Sequence, residues 1–340
     1  MKILIIGPSW VGDMVMAQSL FITLKQNNPG AEIHVLAPHW CKALLDHMPQ
    51  ITRAIEMTIG HGELALGKRR TLARTLKSES YDQAIVLPNS FKSALIPLFA
   101  GISLRTGWRG EARSWLLNDC RVLSKESYPL MIERFIALAY PDKAPLPSPL
   151  PRPCLNVNAG SVAPLLRRLS LDTQKQVLIL CPGAEFGESK KWPASGYAAV
   201  ASYWLSQQGQ VWIMGSANDS ADAEKIISAL PPQGVRDCVD LTGKTSLGEA
   251  IDLMSCASRV ISNDSGLMHI AAALQRPLVV IYGSTSPKFT PPLADKVGIV
   301  SLGLACSPCF KRTCPLGHTN CLKLLEPEQV IRSLHELDSQ

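Results

Sequence analysis

The stretch Arg259-Val260-Ile261-Ser262-Asn263-Asp264-Ser265-Gly266-Leu267-Met268-His269 decides how this chain is read. Its apolar opening, Arg259 to Ser262, reads as a buried strand. Asn263 to Gly266 turn the chain, and Leu267 to Leu274, rich in Ala and Leu, reads as a helix with Pro277 just past its end. In an open α/β sheet, ligands sit at the carboxyl ends of strands, where such turns lie. This turn offers a carboxylate, a hydroxyl, a glycine that permits close approach and free N–H groups at a helix start. His269 falls one helical turn after Ser265 and faces the same way. Two readings stand: a site for a phosphorylated sugar or nucleotide, or an Asp/Ser helix cap above a buried histidine.

The same grammar repeats outward. Strands are predicted at Val177–Cys181, Gln210–Met214, Val239–Leu241, Leu278–Ile281 and Gly298–Ser301, with helices at Ser195–Gln207, Ser220–Ala229 and Leu247–Met254. Towards the amino terminus, residues 2–6 form an apolar strand and Gly7-Pro8-Ser9-Trp10-Val11-Gly12-Asp13 a glycine-bearing loop. A helix follows from Met14 to Gln26. Strands at Glu32–Leu36, Ala54–Met57 and Gln83–Leu87 continue the series. Between them lie a helix at His39–Met48 and a basic helix-prone stretch from His61 to Lys77. Arg105-Thr-Gly-Trp-Arg-Gly110 is read as part of a loop-rich basic region. Strands alternating with helices imply a parallel, doubly wound sheet in each half. Six prolines between Pro141 and Pro153 preclude any regular element there and mark the exit from the first domain. The predicted division is 1–150, a linker over 151–173, a second domain over 174–325, and a closing helix over 326–340 that can pack back on the first domain.

Composition narrows the class. The chain has 340 residues, 46% of them hydrophobic, which suits two packed domains. Met1-Lys-Ile-Leu-Ile-Ile-Gly-Pro is too short for a signal peptide, and no stretch approaches the ~20 apolar residues of a membrane span. A cytoplasmic location is expected. Residues 1–150 carry 17 Lys+Arg against 12 Asp+Glu, while the remainder carries 17 against 16. A basic first half suits an anionic partner. There is no helix-turn-helix or RNP signature, so nucleic acid is not expected. The first loop also lacks the G-x-G-x-x-G fingerprint and the Gly-Lys-Ser/Thr ending of a P-loop.

Three further strand exits in the second half carry chemistry. Cys181-Pro-Gly-Ala-Glu-Phe-Gly-Glu-Ser-Lys-Lys-Trp-Pro193 holds Gly183, Ser189 and two lysines. Met214-Gly215 and Gly243 mark the other two turns. A lysine at such a turn neutralises a diphosphate as a point charge.

Gly7-x4-Gly12-Asp13, Pro182-Gly-Ala184 with Lys191-Trp-Pro193, and Asn263-Asp-Ser-Gly266-x2-His269 together resemble the ADP-heptose:lipopolysaccharide heptosyltransferases of glycosyltransferase family 9. Leu87-Pro-Asn-Ser-Phe-Lys-Ser93 and Arg105 to Gly110 look like the branch that acts on a core already bearing one heptose. The resemblance spans roughly residues 1–335. It implies the GT-B fold, two Rossmann-like domains with parallel sheets facing across a cleft. The first domain would bind acceptor and the second ADP-heptose. The reaction implied is inverting transfer of L-glycero-D-manno-heptose from ADP-heptose to the first heptose of the lipopolysaccharide inner core. Other family members, nucleotide-sugar 2-epimerases of the same fold and a sugar-nucleotide-binding module are the alternatives.

By resemblance, Asp13 is the general base, although a carboxylate at a helix start is stabilised as the anion and so weakened as a base. Its other reading is a helix N-cap. Lys191 offsets the diphosphate's charge as ADP leaves. Gly183, Ser189, Lys191, Met214, Gly215, Gly243, Asp264, Ser265, Gly266 and His269 form the donor set. Gly12, Asp13, Lys92, Arg105, Arg109 and Arg113 face the acceptor. A phosphate-binding lysine with helix-terminal amides can replace a metal, so no obligatory cofactor is expected. The expected partners are ADP-heptose, the phosphorylated inner-core glycolipid and, transiently, the cytoplasmic face of the inner membrane, met by a monomer. Last, Cys306-x2-Cys309-x4-Cys314-x6-Cys321, with His318 between the final two, begins with metal-ligand spacing. A structural zinc site, reduced thiols in a packed loop and disulfides all remain open. A cytosolic location disfavours the last.

Overall fold

The computed structural model describes residues 1–60 and 62–339. His61 and Gln340, which end two of the predicted stretches, lie outside it. The chain divides into two compact units, Met1–Pro153 and Cys154–Gln340.

The first unit holds strands β1 (Lys2–Ile6), β2 (Glu32–Ala37), β3 (Arg53–Glu56), β4 (Gln83–Val86), β5 (Leu104–Trp108) and β6 (Asp119–Arg121). They form one parallel sheet in the order β3-β2-β1-β4-β5-β6. β1 is central and its Ile3, Leu4, Ile5 and Ile6 are all buried, as a strand covered on both faces requires. The order reverses between β1 and β4, so this is the topological switch point of the sheet.

The second unit holds β7 (Val177–Cys181), β8 (Gln210–Ile213), β9 (Cys238–Asp240), β10 (Arg259–Asn263), β11 (Leu278–Ile281) and β12 (Val297–Val300). Their order, β12-β11-β10-β7-β8-β9, is the same topology, with its switch point between β7 and β10. Leu178, Leu180, Val211, Ile213, Ile261, Val279 and Ile281 form the sheet's side of the core against Tyr197, Val200 and Ala201 of helix Ala194–Ser206. Both sheets are thus the doubly wound parallel sheets that the alternation of elements predicts.

Three details differ from expectation. The region around Arg105 is not loop but β5. Thr106, Gly107 and Trp108 are buried in it while its flanks are polar, which hides the strand from an apolar-run criterion. The stretch 39–48 yields only the short turns His39–Cys41 and Lys42–Leu45. The closing helix, Pro327–Glu336, places Val330 and Leu334, with Leu337 after it, in the second unit's own core, so its apolar face is already occupied there. The residues from Pro141 to Pro153 form no regular element.

Candidate functional site

At the switch point of the second sheet, two loops meet. The β7 exit contains a short 3-10 turn, Glu188–Lys190, and the β10 exit runs Asp264-Ser265 into helix Gly266–Ala273. Buried Asn263 joins them: its side-chain amide donates to Pro182 O at 2.6 Å, and its side-chain oxygen accepts from Trp192 N at 3.1 Å. A third loop, after β11, adds Thr285.

These loops converge on Asp264, which is 4% exposed. Its Oδ2 accepts from Lys190 Nζ at 2.7 Å and from Thr285 Oγ1 at 2.6 Å. Lys190 Nζ also reaches Asp264 O at 3.2 Å and lies 4.9 Å from the Phe186 ring centroid. His269, one turn into the helix, is buried, and burial pushes its imidazole down to about 4. Asp264 opposes that shift and Lys190 adds to it. The imidazole is therefore neutral near pH 7 and can donate from one nitrogen while accepting on the other. Ser265 occupies the N-cap position without capping. Its Oγ sits 3.2 Å from Ser262 Oγ, and the first amides of the helix follow it. The arrangement is a half-buried cation on a buried carboxylate, beside helix-terminal amides, at a sheet switch point. It can bind an anionic leaving group and hold its charge.

Of the two adjacent lysines, it is Lys190 that bonds Asp264, while the expected Lys191 takes other partners. Lys191 Nζ lies 3.2 Å from both Glu188 Oε1 and Asp222 Oδ2. Burial works against its charge, but the hydrogen bonds it donates to those two carboxylates hold its ammonium above the usual range. The chain leaves the 3-10 turn at Lys190 and becomes extended at Lys191, so the two side chains diverge. Repeated lysines in the sequence give no sign of which one turns inward. Thr285 was also missed, though Gly283-Ser284-Thr285 follows an apolar strand and satisfies the strand-exit rule.

Other expected donor residues make contacts within the protein. A Cβ on Gly183 would meet Asp219 Oδ2 at 2.5 Å, and one on Gly215 would meet it at 2.8 Å. Asp219 Oδ2 accepts from Ser216 N and Oγ, both at 2.9 Å, so these glycines make room for a turn-closing carboxylate. Gly243 takes a left-handed φ of +68° against Ala217. Met214 is buried. Ser189 Oγ is bonded to Ser284 Oγ and Lys311 O.

In the first unit, Asp13 lies in the first turn of helix Val11–Asn27, directly after the β1 loop. Trp10 holds the N-cap position, so Asp13 is not the cap. Gly12 precedes it in the same turn. Lys92, at the start of helix Phe91–Phe99 after β4, and exposed Arg109, just past β5, stand at the same carboxyl end of the sheet. Arg105 and Arg113 do not belong with them. Arg105 is near the amino end of β5 and donates to Leu116 O and Ile102 O. Arg113 is fully buried. Its guanidinium donates to Pro88 O, Trp108 O, Asn89 Oδ1 and Ser93 Oγ, and burial pushes its pKa down to about 10. It ties the β4 and β5 exits together from beneath and has no face left for an acceptor.

The C-terminal cysteines line one small pocket with His318, Ser189 and Ser284. Among the described residues, however, no group of three or more His, Cys, Asp or Glu side chains is arranged to hold a metal ion. All ten cysteines are free thiols. Backbone N–H groups of Thr319, Leu316, Gly317 and His318 turn towards Cys314 and lower its pKa. The structural zinc site is therefore not supported.

Two doubly wound parallel units, each with ionisable side chains at the carboxyl end of its sheet, define a two-domain α/β protein. A family model described as glycosyltransferase family 9 (heptosyltransferase) matches residues 69–320, and the chain belongs to that family. It is 47% identical to lipopolysaccharide heptosyltransferase 2 of Salmonella typhimurium, over 100% of this chain and 99% of that one. The solved Escherichia coli ADP-heptose lipopolysaccharide heptosyltransferase II superposes with a TM-score of 0.89 at 46% identity, covering 99% of this chain and 98% of that one. E. coli heptosyltransferase WaaC with ADP-2-deoxy-2-fluoro heptose shares the fold, with a TM-score of 0.72 at 18% identity and 99% coverage of both chains.

Proposed function

We propose that this enzyme transfers heptose from ADP-heptose to the first heptose of the lipopolysaccharide inner core, with inversion at the anomeric carbon. The observation that carries the reading is the Lys190–Asp264–Thr285 cluster at the second switch point. A heptose diphosphate ester breaks its anomeric C–O bond only if the departing ADP is stabilised. Lys190 and the amides after Ser265 supply that stabilisation as charge grows on the leaving oxygen. Asp264, already oriented by two donors, is placed to accept hydroxyls of the sugar. Neutral His269 donates without adding a second charge beside Lys190.

Asp13 takes the proton from the acceptor hydroxyl as that oxygen attacks the anomeric carbon. One new C–O bond forms, ADP leaves, and the proton resides on the carboxylate until solvent removes it. The family resemblance and the position after the central strand support this role. Lys92 and Arg109 are the remaining candidates for contact with acceptor phosphates. A glycolipid acceptor places the work at the cytoplasmic face of the inner membrane, which the basic first half of the chain suits. No described helix is long and apolar enough to cross a membrane.

The test is ADP release by the purified protein with ADP-heptose, offered core acceptors bearing no heptose or one. Turnover confined to the one-heptose acceptor is expected. Turnover with the heptose-free acceptor moves the assignment to the earlier transfer, and none with either rejects the proposed reaction.

A further inference from the structure

The pocket below the donor cluster has an architecture that the transfer reaction does not itself require. Ser189, immediately before Lys190, is 3% exposed, and Ser284, immediately before Thr285, is 1% exposed. Their hydroxyl oxygens are 3.1 Å apart, and Ser189 Oγ is also bonded to Lys311 O. The Ser189 hydroxyl is the donor in both contacts, so one side chain links the Ser284 hydroxyl to the Lys311 carbonyl. The segment 304–319 is stitched to both loops at further points. Phe310 N donates to Ser284 O at 2.7 Å, Ser189 N donates to Arg312 O at 3.3 Å, and Ser307 Oγ donates to Gly283 O. Gly187 lies so close to this segment that a Cβ would meet Arg312 O at 2.5 Å. The Arg312 guanidinium and the Lys190 ammonium lie 5.5 Å and 4.9 Å from the centroid of the Phe186 ring.

We infer that the cysteine-bearing segment 304–319 is a clamp on the donor site, and that Ser189 and Ser284 are positioning residues which hold Lys190 and Thr285 on Asp264 without touching the sugar nucleotide. This inference rests on the Lys190–Asp264 cluster being the donor site. The logic is geometric. Lys190 and Thr285 come from different loops, and each is preceded by the serine that the clamp holds. Tying Ser189 to Lys311 O and Ser284 O to Phe310 N of one segment fixes the spacing of the two donors that orient Asp264. Preorganisation of this kind acts on donor binding, because the cluster need not assemble when the nucleotide arrives.

The coupling must be reciprocal. If the clamp stabilises the donor-binding arrangement, a bound nucleotide stabilises the clamp, and exposed Cys306 within it becomes slower to alkylate. ADP is the probe. Alkylation of Cys306 by N-ethylmaleimide is followed by peptide mass spectrometry with and without ADP, alongside calorimetric ADP titration of the wild type, Ser189→Ala, Ser284→Ala and Ser189→Thr. Three results are expected: ADP slows Cys306 labelling in the wild type; each alanine variant binds ADP roughly five- to tenfold more weakly, the net loss of one hydrogen bond; and Ser189→Thr recovers most of that loss. In turnover assays the alanine variants should raise the KM for the sugar nucleotide and leave kcat within about twofold, as loss of uniform binding does. The labelling measurement needs no variant, so a variant that misfolds leaves the test intact. Wild-type ADP binding with no change in Cys306 labelling overturns the clamp, as does an alanine variant with wild-type ADP affinity. Failure of the wild type to bind ADP overturns the donor-site reading and the clamp with it.

Discussion

The two sheets share one strand order, yet their switch points are built in opposite ways. Around the first, charge is partly exposed: Asp13, in a helix's first turn, and Lys92 are half-buried, and Arg109 is exposed. At the second, charge is internal: Lys190 and Asp264 have side chains only 14% and 5% exposed and are bonded to each other. A half-exposed acid suits a group that exchanges a proton with an incoming hydroxyl. A sequestered ion pair suits a group that must hold a fixed field while charge moves nearby. The shared topology therefore sets where chemistry sits, and the loops set which chemistry it is.

The largest expected effect comes from emptying the open side. Asp13→Ala should lower kcat by ~10²–10⁴-fold, the usual range for a general base, and leave ADP affinity unchanged. Stopped ADP release together with an unchanged ADP titration would give that pattern. Undiminished turnover would break the comparison, since both switch points would then be binding sites only.

Lys190→Ala should lower turnover as well, but unlike Asp13→Ala it should also reduce stability and donor binding. It removes the partner of a buried carboxylate, which costs about 3 kcal/mol of stability if Asp264 stays charged and weakens ADP binding in addition. Urea unfolding and ADP titration on the same sample separate the two losses. Stability and ADP affinity both equal to wild type would show that Asp264 is not held by Lys190.

His269 sharpens the contrast through pH. Its folded pKa, about 4, lies below the unfolded value of 6.5, so between these values the unfolded chain binds more protons. The stabilisation is fully present above pH ~6.5 and is lost as pH falls towards 4, to the order of 3 kcal/mol. In His269→Gln that share of the acid sensitivity should vanish. Equal slopes of unfolding free energy against pH in the two proteins would mean that the histidine is not buried as a neutral group.

How much of this was legible follows physical lines. Apolar runs ending in glycine and polar residues announced both sheets, and the turn Asn263 to Gly266 lies at the switch point because strand ends and turns are local properties. β5 was not legible, because its buried core is only Thr106, Gly107 and Trp108 and its flanking arginine reads as surface. Arg113 was misread for a related reason. An arginine is buried only where several carbonyls converge, and Pro88 and Trp108 meet it only after two distant loops close. Lys190 and Lys191 are indistinguishable by residue type. A single 3-10 turn separates them, and such a turn is too short to leave a periodic signal.

That last pair yields the smallest and most discriminating prediction. Lys191 touches Glu188 and Asp222 at the rim, where Glu188 is 81% exposed and water screens the attraction. Lys191→Ala should therefore cost less than about 1 kcal/mol of stability. Its effect on ADP affinity should be small beside that of Lys190→Ala, because Asp222 keeps Lys225 as a second partner at 3.5 Å. The two variants remove the same atoms from adjacent residues, so composition, helix propensity and net charge are held equal between them. A larger loss of ADP binding for Lys191→Ala would mean that the nucleotide draws Lys191 off Asp222 and that the rim ion pair is a resting place for the catalytic cation. A larger loss for Lys190→Ala assigns the cation to the buried pair and makes the direction of the backbone after Lys190 the decisive local feature of the donor site.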